Sequence, residues 1–589
     1  MTEFKRLFDI IDYQQERFPA EDALCRKQAD GGWVKYSTES IRKVVDKLSI
    51  GLLNVGVKKG DKIALISPNR PEWNFIDLAI LQIGAVNIPI YPTVTPEEYR
   101  FIFNDAEIKM AFVADADLHK KVKEIEGDVP SLLEIYSIDE LSGIKNWSEL
   151  VKAGEGQPIE PVREISKTVT PEDLATIIYT SGTTGVPKGV MLSHNNIASN
   201  VRATSEVLPL RPGLKNLSFL PLCHIFERTV IYTYMYNGCR VYYCEQLDKV
   251  AEYLKEVKPN YFSTVPRLLE KVFDKIMLTG NSLTGAKKKL FFWAMDLGQE
   301  WDYKGKGAVY NAKLAIARKL IFSKWKEALG GEVEGIITGA AALQARLERV
   351  FNAAGIPVKQ GYGMTETSPV ITINRFEGKD AAIGTVGYAI PGVELKIDPK
   401  NKEILARGPN VMMGYYNRPD ATAEVIDADG WMHTGDCGEL IDGKYLKITD
   451  RIKQLFKTSG GKYVAPGPIE NKFAESPLIE QIMVTGIDRK FVGALITPSV
   501  EALTNLCKEC NLDTSSLEAM VKHPEVLKKY QEICDEFNVN FNKVEQIKRF
   551  RILPTEWSIE GGEMTPTMKP KKKVIREKYA EQIEEIYNV

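Results

Sequence analysis

The 589-residue chain has no excess of either charge: 77 Lys and Arg stand against 79 Asp and Glu, a formal net charge of −2. The positive surplus that marks nucleic-acid binders is missing, so no nucleic acid is expected as a partner. A long hydrophobic run is missing too. The longest, residues 78–91, is broken by Gln82, Asn87 and Pro89, and it falls short of the ~20 residues a spanning helix needs. The N-terminus places Glu3 and Asp9 where a secretion signal needs a basic flank and an apolar stretch. The eight cysteines are scattered rather than gathered into a disulfide framework, which suits a reducing compartment. Cys507 and Cys510 form one CxxC with no second pair and no nearby His, a structural rather than a metal-binding pattern. Together these absences predict a soluble, cytoplasmic protein with at most peripheral membrane contact.

What is present is the patterning of an ordinary folded enzyme-sized chain. With 44% hydrophobic and 26% charged residues the composition excludes disordered, collagen-like and coiled-coil classes. From about residue 40 to 250, short apolar runs (62–67, 109–114, 174–180) alternate with amphipathic stretches such as 40–55 and 96–105. The alternation predicts parallel α/β layers. A second set, 261–266, 334–339 and 357–363, repeats the theme. From about 384 to 449 short runs broken by Gly, Pro, Asn and Asp predict a β-rich part, and the last 130 or so residues read as a separate α+β unit. The expected fold class is α/β: an N-terminal domain over 1–449 with two α/β subdomains and the β-rich part, a hinge at 450–457, and a small α+β domain over 458–589.

The segment 179–189, YTSGTTGVPKG, follows a predicted strand and precedes a helix-like stretch. Its glycines permit close backbone approach, and Thr180, Ser181, Thr183, Thr184 and Lys188, with Gly182 and Gly185 between them, supply the donors a polyphosphate requires. The spacing is not that of a Walker loop, because Pro187 stands before the Lys and Gly189 follows where Ser or Thr belongs. On composition alone a flexible surface loop remains the alternative.

These residues resemble the signature loop of the AMP-forming adenylating enzymes, the superfamily of acyl-CoA synthetases, luciferases and peptide-synthetase adenylation domains. The resemblance continues in order through PLCHIFER (221–228), TGAAAL (338–343), QGYGMTET (360–367), HTGD (433–436), DRIK (450–453) and MTPTMK (564–569), from about residue 40 to the end. Within the superfamily, PLCHIFER, the 456–470 segment and the TPTMK ending most resemble long-chain fatty acyl-CoA synthetases. The chain departs from the common pattern at Ala342, where many relatives carry Pro.

The resemblance implies a two-step reaction: a carboxylate attacks the α-phosphate of ATP, with Mg2+, to give an acyl-adenylate and pyrophosphate, and a thiol then displaces AMP. By the same resemblance the 180–188 loop, with Lys188, holds the β- and γ-phosphates, Thr180 and Glu366 stand near the metal, and Thr365 contacts the α-phosphate. Tyr362 stacks on adenine, Gln360, Gly361 and Gly363 line the nucleotide pocket, and Gly339, Ala340 and Ala341 form the backbone strip facing the base. Asp436 accepts the ribose hydroxyls, Arg451, Lys453 and Lys457 contact the nucleotide, and Asp450 is the hinge about which a mobile C-terminal domain turns. Lys569 bridges the substrate carboxylate and the α-phosphate, while His224 and Phe226 border the acyl substrate. Read singly, several of these have plainer explanations. Glu366 reads as a capping residue, Tyr362 and His224 as core side chains, Asp436 as a turn Asp, and the basic run 569–578 as a solvated tail.

The resulting expectation is a ligase joining a long-chain fatty acid to coenzyme A, with ATP and Mg2+. The acceptor is expected in trans, since only about 20 residues follow Lys569. Alternatives are a shorter or aromatic acid, an acyl-carrier protein as acceptor, or a catalytically silent adenylate- or lipid-binding protein. From Lys287 to Glu327, ten Lys or Arg against four acids are interleaved with six Phe or Trp. This reads either as an interfacial helix on anionic lipid or, more plainly, as a helix packed through its aromatic side.

Overall fold

The computed structural model describes the chain except residues 1–2, 29, 181–186, 377–379, 566–568 and 589 and the side chain at 453. By its internal contacts the chain forms two units. The first holds residues 1–396, 405–433 and 440–446; the second holds 397–404, 434–439 and 447–589.

The first unit contains two largely parallel sheets. One runs in the order Gly414–Tyr415, Lys188–Ser193, Leu174–Thr180, Val86–Pro89, Lys62–Ile66, Met110–Val113, Glu134–Ser137. The other runs Tyr388–Ala389, Val370–Ile373, Val358–Gly363, Gly335–Thr338, Tyr261–Thr264, Lys215–Ser218, Arg240–Tyr243, Leu24–Lys27, Trp33–Tyr36. Their inner strands are wholly buried, which is why they read as continuous apolar runs rather than as alternations. The predicted amphipathic stretches are helices Thr38–Asn54 and Pro96–Asp105, the latter started by a box in which Thr95 and Glu98 cap each other's backbone.

One local expectation changes. The strand–loop–helix anticipated around 174–207 gains a strand, Lys188–Ser193, that turns back antiparallel on Leu174–Thr180 before helix His194–Val207 begins. The run KGVMLS alternates too weakly to announce itself, yet Val190 and Leu192 are fully buried against the preceding strand. A small four-stranded sheet, Glu394–Ile397, Glu403–Arg407, Met432–Ile441 and Tyr445–Arg451, supplies the predicted β-rich texture.

The second unit has its own three-stranded sheet: Val492–Pro498 lies between antiparallel Ile479–Thr485 and parallel Ile547–Ile552. Helices Pro466–Phe473, Val500–Glu509 and Pro524–Asn538 contribute Ile469, Phe473, Leu503, Val526 and Tyr530 to one core, and Ala580–Tyr587 contributes Ile583 and Ile586 to another. Cys507 is buried and Cys510 exposed.

Candidate active site

In the first unit, Thr180 ends one strand and Lys188 opens its antiparallel partner, so the two face each other, with the Thr180 hydroxyl 3.5 Å from the Lys188 carbonyl. Gly189 is demanded behind them, since a Cβ there would lie 2.7 Å from Ile177. Ser181, Gly182, Thr183, Thr184 and Gly185 fall outside the described residues. The Lys188 ammonium stands 4.8 Å from the centre of the Tyr415 ring, a cation–π distance. Tyr415 is delivered there by strand Gly414–Tyr415, which pairs with Lys188–Ser193. Its hydroxyl donates to Glu366 Oε1 at 2.8 Å. Burial, followed by the Glu366 charge and that hydrogen bond, holds the phenol far above its ordinary pKa, so Tyr415 is a permanent donor. Glu366 and Thr365 lie buried in the turn Thr365–Thr367, and the Met412 amide donates to the Glu366 carbonyl at 2.9 Å. Thr180, Lys188 and Glu366 therefore come together around a tyrosine that sequence reasoning missed. One Tyr among 24, in no quoted motif, carries no signal of its own.

The strip 339–341 follows strand Gly335–Thr338, and strand Val358–Gly363 runs parallel beside it. Ala340 adopts φ +67°, a left-handed conformation that costs a residue with a Cβ. What holds it is Gln360: its Oε1 accepts from the Leu343 amide at 3.0 Å, and its Nε2 donates to Glu348 Oε2 at 3.1 Å. Gln360 thus clamps the far end of the strip. Glu348, wholly buried on helix Ala345–Ala353, also accepts from the Tyr303 hydroxyl at 3.0 Å and the Gly384 amide at 2.9 Å. Burial raises its pKa to about 7, against those three bonds and the nearby Lys359. Lys359 lies 3.9 Å from the Tyr303 ring centre, and burial lowers its pKa to about 8. Glu348 also escaped sequence reasoning, because a Glu on an amphipathic helix reads as solvated. Gly361 and Gly363 leave room for the neighbouring strand: a Cβ on Gly363 would lie 1.7 Å from the Pro369 carbonyl oxygen. Tyr362 is buried between them.

The PLCHIFER residues begin helix Ile225–Tyr236. His224 is its N-cap, with Nδ1 accepting from the Phe226 amide at 3.1 Å, which fixes the imidazole by its unprotonated nitrogen. Phe226 is partly exposed, packs on three core clusters, and faces Gly339, whose added Cβ would meet its ring at 3.5 Å. The polar residues behind it anchor the helix. Glu227 accepts from the Ser218 hydroxyl at 2.6 Å and from Ser263, and burial raises its pKa to about 7. Arg228 pairs with Asp77 at 2.6 Å, both wholly buried, and Asp77 also accepts from Tyr232 at 2.8 Å and Asn87 at 2.6 Å. A buried pair this fully satisfied is costly to break by halves.

In the second unit, Asp436 Oδ1 is paired with Arg451 Nε at 2.8 Å. Asp436 is buried, whereas the Arg451 side chain is more than half exposed. Asp450 Oδ1 accepts from the Arg451 amide at 2.6 Å; burial raises its pKa, against the Arg451 and Gly467 amides and the Lys572 charge. Lys569 is tied to Thr565: the Thr565 amide donates to the Lys569 carbonyl at 2.8 Å, and the Lys569 amide donates to the Thr565 hydroxyl at 3.0 Å. Burial and the Arg451 charge lower the Lys569 pKa to about 8, opposed by Asp436. Of its basic neighbours, Lys572 is committed to Glu470 at 2.7 Å. The Lys457 ammonium lies 4.8 Å from the Tyr463 ring centre, apart from this group, and the Lys453 side chain is outside the described residues.

Glu366 and Thr180 offer hard oxygen donors of the kind magnesium takes, and among the described residues no cluster of three ligating side chains competes for it. That donor set fits a magnesium ion held mainly by a nucleotide's phosphates.

A fold of two α/β sheets followed by a small α+β unit, carrying this set of side chains, matches the family model "AMP-binding enzyme" over residues 11–416 and "AMP-binding enzyme C-terminal domain" over 453–589. The chain belongs to the AMP-binding enzyme family. Among curated proteins it is 35% identical over 586 residues to a long-chain-fatty-acid–CoA ligase, FadD15, of Mycobacterium bovis, covering 98% of this chain and 96% of that one. It is 32% identical over 593 residues to human long-chain-fatty-acid–CoA ligase 1, covering 94% and 82%. In fold it resembles the adenylation domain of a Mycobacterium chelonae carboxylate reductase, with TM-score 0.79 at 20% identity, covering 99% of this chain and 91% of that chain. A Mycobacterium tuberculosis fatty acyl CoA synthetase matches with TM-score 0.63, also at 20% identity, covering 99% of each.

Proposed function

We propose that the chain activates a long-chain fatty acid with ATP and transfers the acyl group to coenzyme A. A carboxylate oxygen of the acid bonds to the α-phosphorus, and the bond from that phosphorus to the bridging oxygen breaks to release pyrophosphate. A thiol sulfur then bonds to the acyl carbon and AMP departs with the electron pair, the thiol proton passing to solvent. The observation that carries the chemistry is the joining of Lys188, Tyr415 and Glu366 beside Thr180. A cation and a fixed carboxylate held this close support the reading of a site for a polyphosphate with its metal. The named activity of the full-length relatives narrows the acid to a long-chain one.

Bringing two anions together needs positive charge where charge develops. Lys188 acts on the outer phosphates and Lys569 on the carboxylate and α-phosphate, its ammonium desolvated and therefore strongly felt. Thr365 contacts the same phosphate, Tyr362 stacks on adenine along the 339–341 strip, and Asp436 with Arg451 takes the ribose. His224 and Phe226 border the acyl group. Glu366 and Thr180 would hold a magnesium ion together with the nucleotide, and it would supply charge neutralisation of the phosphates. Domain boundaries at 449 and 458, with Asp450 as hinge, belong to the same reading. So does peripheral contact with an anionic membrane, where a long-chain acid accumulates; among the described residues no helix is long and apolar enough to cross one.

Pyrophosphate and AMP formation measured across acids from acetate to oleate, each with and without coenzyme A, tests the proposal. Turnover should peak with long chains and require coenzyme A for AMP release. Turnover with short or aromatic acids alone would overturn the substrate. ATP binding without turnover on any acid would leave a silent adenylate-binding protein.

A further inference from the structure

Helix Ala308–Ala317 and the turn Arg318–Phe322 that continues it have two apolar faces. One is ordinary: Leu314, Ala317, Phe322 and, just beyond, Trp325 are buried in the core of the larger sheet's subdomain. The other faces outward. Val309 is 73% exposed, Ile316 52% and Leu320 47%. With exposed Ala312 they recur at three- and four-residue steps, the spacing of a single stripe along a helix. At ~3.6 residues per turn that stripe lies about half a turn from the buried face. The same periodicity puts Lys313 and Lys324 on one flank and Lys319 on the other. All three are exposed, and none makes an ion pair among the described residues. Positive charge predominates around them: residues 303–326 contain seven Lys or Arg and no Asp or Glu, with Asp296, Glu300 and Asp302 before the stretch and Glu327 after it.

We propose that this face docks the protein on an anionic lipid surface, with Val309, Ala312, Ile316 and Leu320 entering the headgroup–acyl boundary and the lysines meeting lipid phosphates. An apolar stripe bordered by long-stemmed cations matches the two halves of such a surface at once. A second copy of the chain fits less well, because a two-fold contact would set lysine-bordered faces against each other. Of the aromatic side chains of this region, Phe291, Phe322 and Trp325 are buried in the core and Phe292, Trp293 and Trp301 pack against it partly exposed, so the outward aliphatic stripe is a different set. The benefit, an acid drawn directly from the membrane in which it dissolves, rests on the long-chain reading; the docking does not.

Flotation of the full chain with vesicles of phosphatidylglycerol and phosphatidylcholine in equal parts, against phosphatidylcholine alone, reads binding without turnover. The chain should float with the anionic vesicles and lose them in high salt. Lys313→Ser with Lys319→Ser and Lys324→Ser should weaken binding roughly a hundred-fold. Ile316→Ser with Leu320→Ser, which alters no charge, should weaken it at least about ten-fold. Both variants should keep the parent's melting temperature and its pyrophosphate release with a water-soluble acid. Failure of the unmodified chain to float, or equal flotation of all three proteins, overturns the proposal. So does flotation lost in the lysine variant but kept in the stripe variant, which is the behaviour of a purely electrostatic contact such as an acidic protein partner. Self-association of the unmodified chain that the stripe variant abolishes, with no vesicle binding, would assign the face to a second copy instead.

Discussion

The 339–341 strip of the first unit and the Lys569 segment of the second are stabilised in opposite ways. Around the 339–341 strip the braces come from far along the chain: Gln360 holds Leu343, Glu348 holds Gln360, and Tyr303 and Gly384 hold Glu348. Around Lys569 the braces are local, two hydrogen bonds between residues four apart, and what distinguishes the residue is its electrostatic setting. The first kind of construction fixes a shape before any ligand arrives. The second leaves the backbone cheaply held and tunes a charge, as a group acting on a transition state requires.

The sharpest way to break that contrast is to delete the tuned charge. Lys569→Ala should lower acyl-adenylate formation by roughly 10²–10³-fold, the cost of removing one donor aimed at developing charge. Thioester formation from supplied acyl-adenylate should change little. Single-turnover assays of each half-reaction read the two separately, and equal losses in both would show that Lys569 does not act selectively on the first. Lys572→Ala makes the control, since that lysine already serves Glu470.

A smaller effect follows from the tuning itself. Burial and the Arg451 charge move the Lys569 pKa down from the ordinary 10.5 to about 8, so the cationic form is present below that pH and lost above it. In the uncomplexed enzyme kcat/KM for adenylation should therefore fall above about pH 8, reaching roughly a tenth near pH 9. Lys569→Arg, which stays charged, should carry the falling limb to higher pH at a reduced plateau. A limb that stays put in the arginine variant would assign it to another group.

How much of this was legible in the sequence depends on the same distinction. Motif residues that are neighbours in sequence, such as QGYGMTET and MTPTMK, declared themselves, and the α/β class followed from apolar runs that are buried strands in the structure. What stayed hidden was brought in by pairing. Tyr415 reaches Glu366 only because Gly414–Tyr415 joins the edge strand Lys188–Ser193, itself unforeseen in a short, weakly alternating run. Glu348 looks solvated on an amphipathic helix, and only its partners Gln360, Tyr303 and Gly384, brought in from other elements, show it to be a buried acceptor. The basic, aromatic stretch 287–326 had two readings, an interfacial helix or, more plainly, one packed through its aromatic side; Phe291, Phe322 and Trp325 are in the core as the plainer reading has it, and the outward stripe is aliphatic.

Glu348 gives the mildest and most discriminating comparison, because it touches no proposed substrate. All its bonds are accepted ones, and one of its oxygens receives both the Gln360 and the Gly384 donors. Glu348→Ala leaves those donors and the Tyr303 hydroxyl unpaired in the core, at about 1–3 kcal/mol for each. Part of that cost should fall on folding, and part should release Gln360 and with it the strip. The expected reading is KM for ATP raised about five- to ten-fold, with kcat and KM for the acid nearly unchanged, since in the proposed function the strip faces the base and not the reacting atoms. Glu348→Gln separates shape from charge. Its carbonyl oxygen can take the position of the doubly bonded oxygen, while its amide donates to a Tyr303 hydroxyl turned to accept. It should restore KM for ATP to within about two-fold of the parent if the carboxylate acts through hydrogen bonds. If the glutamine variant is as impaired as the alanine one, the charge opposite Lys359 matters as well, and the strip is held by the same kind of tuning that marks Lys569.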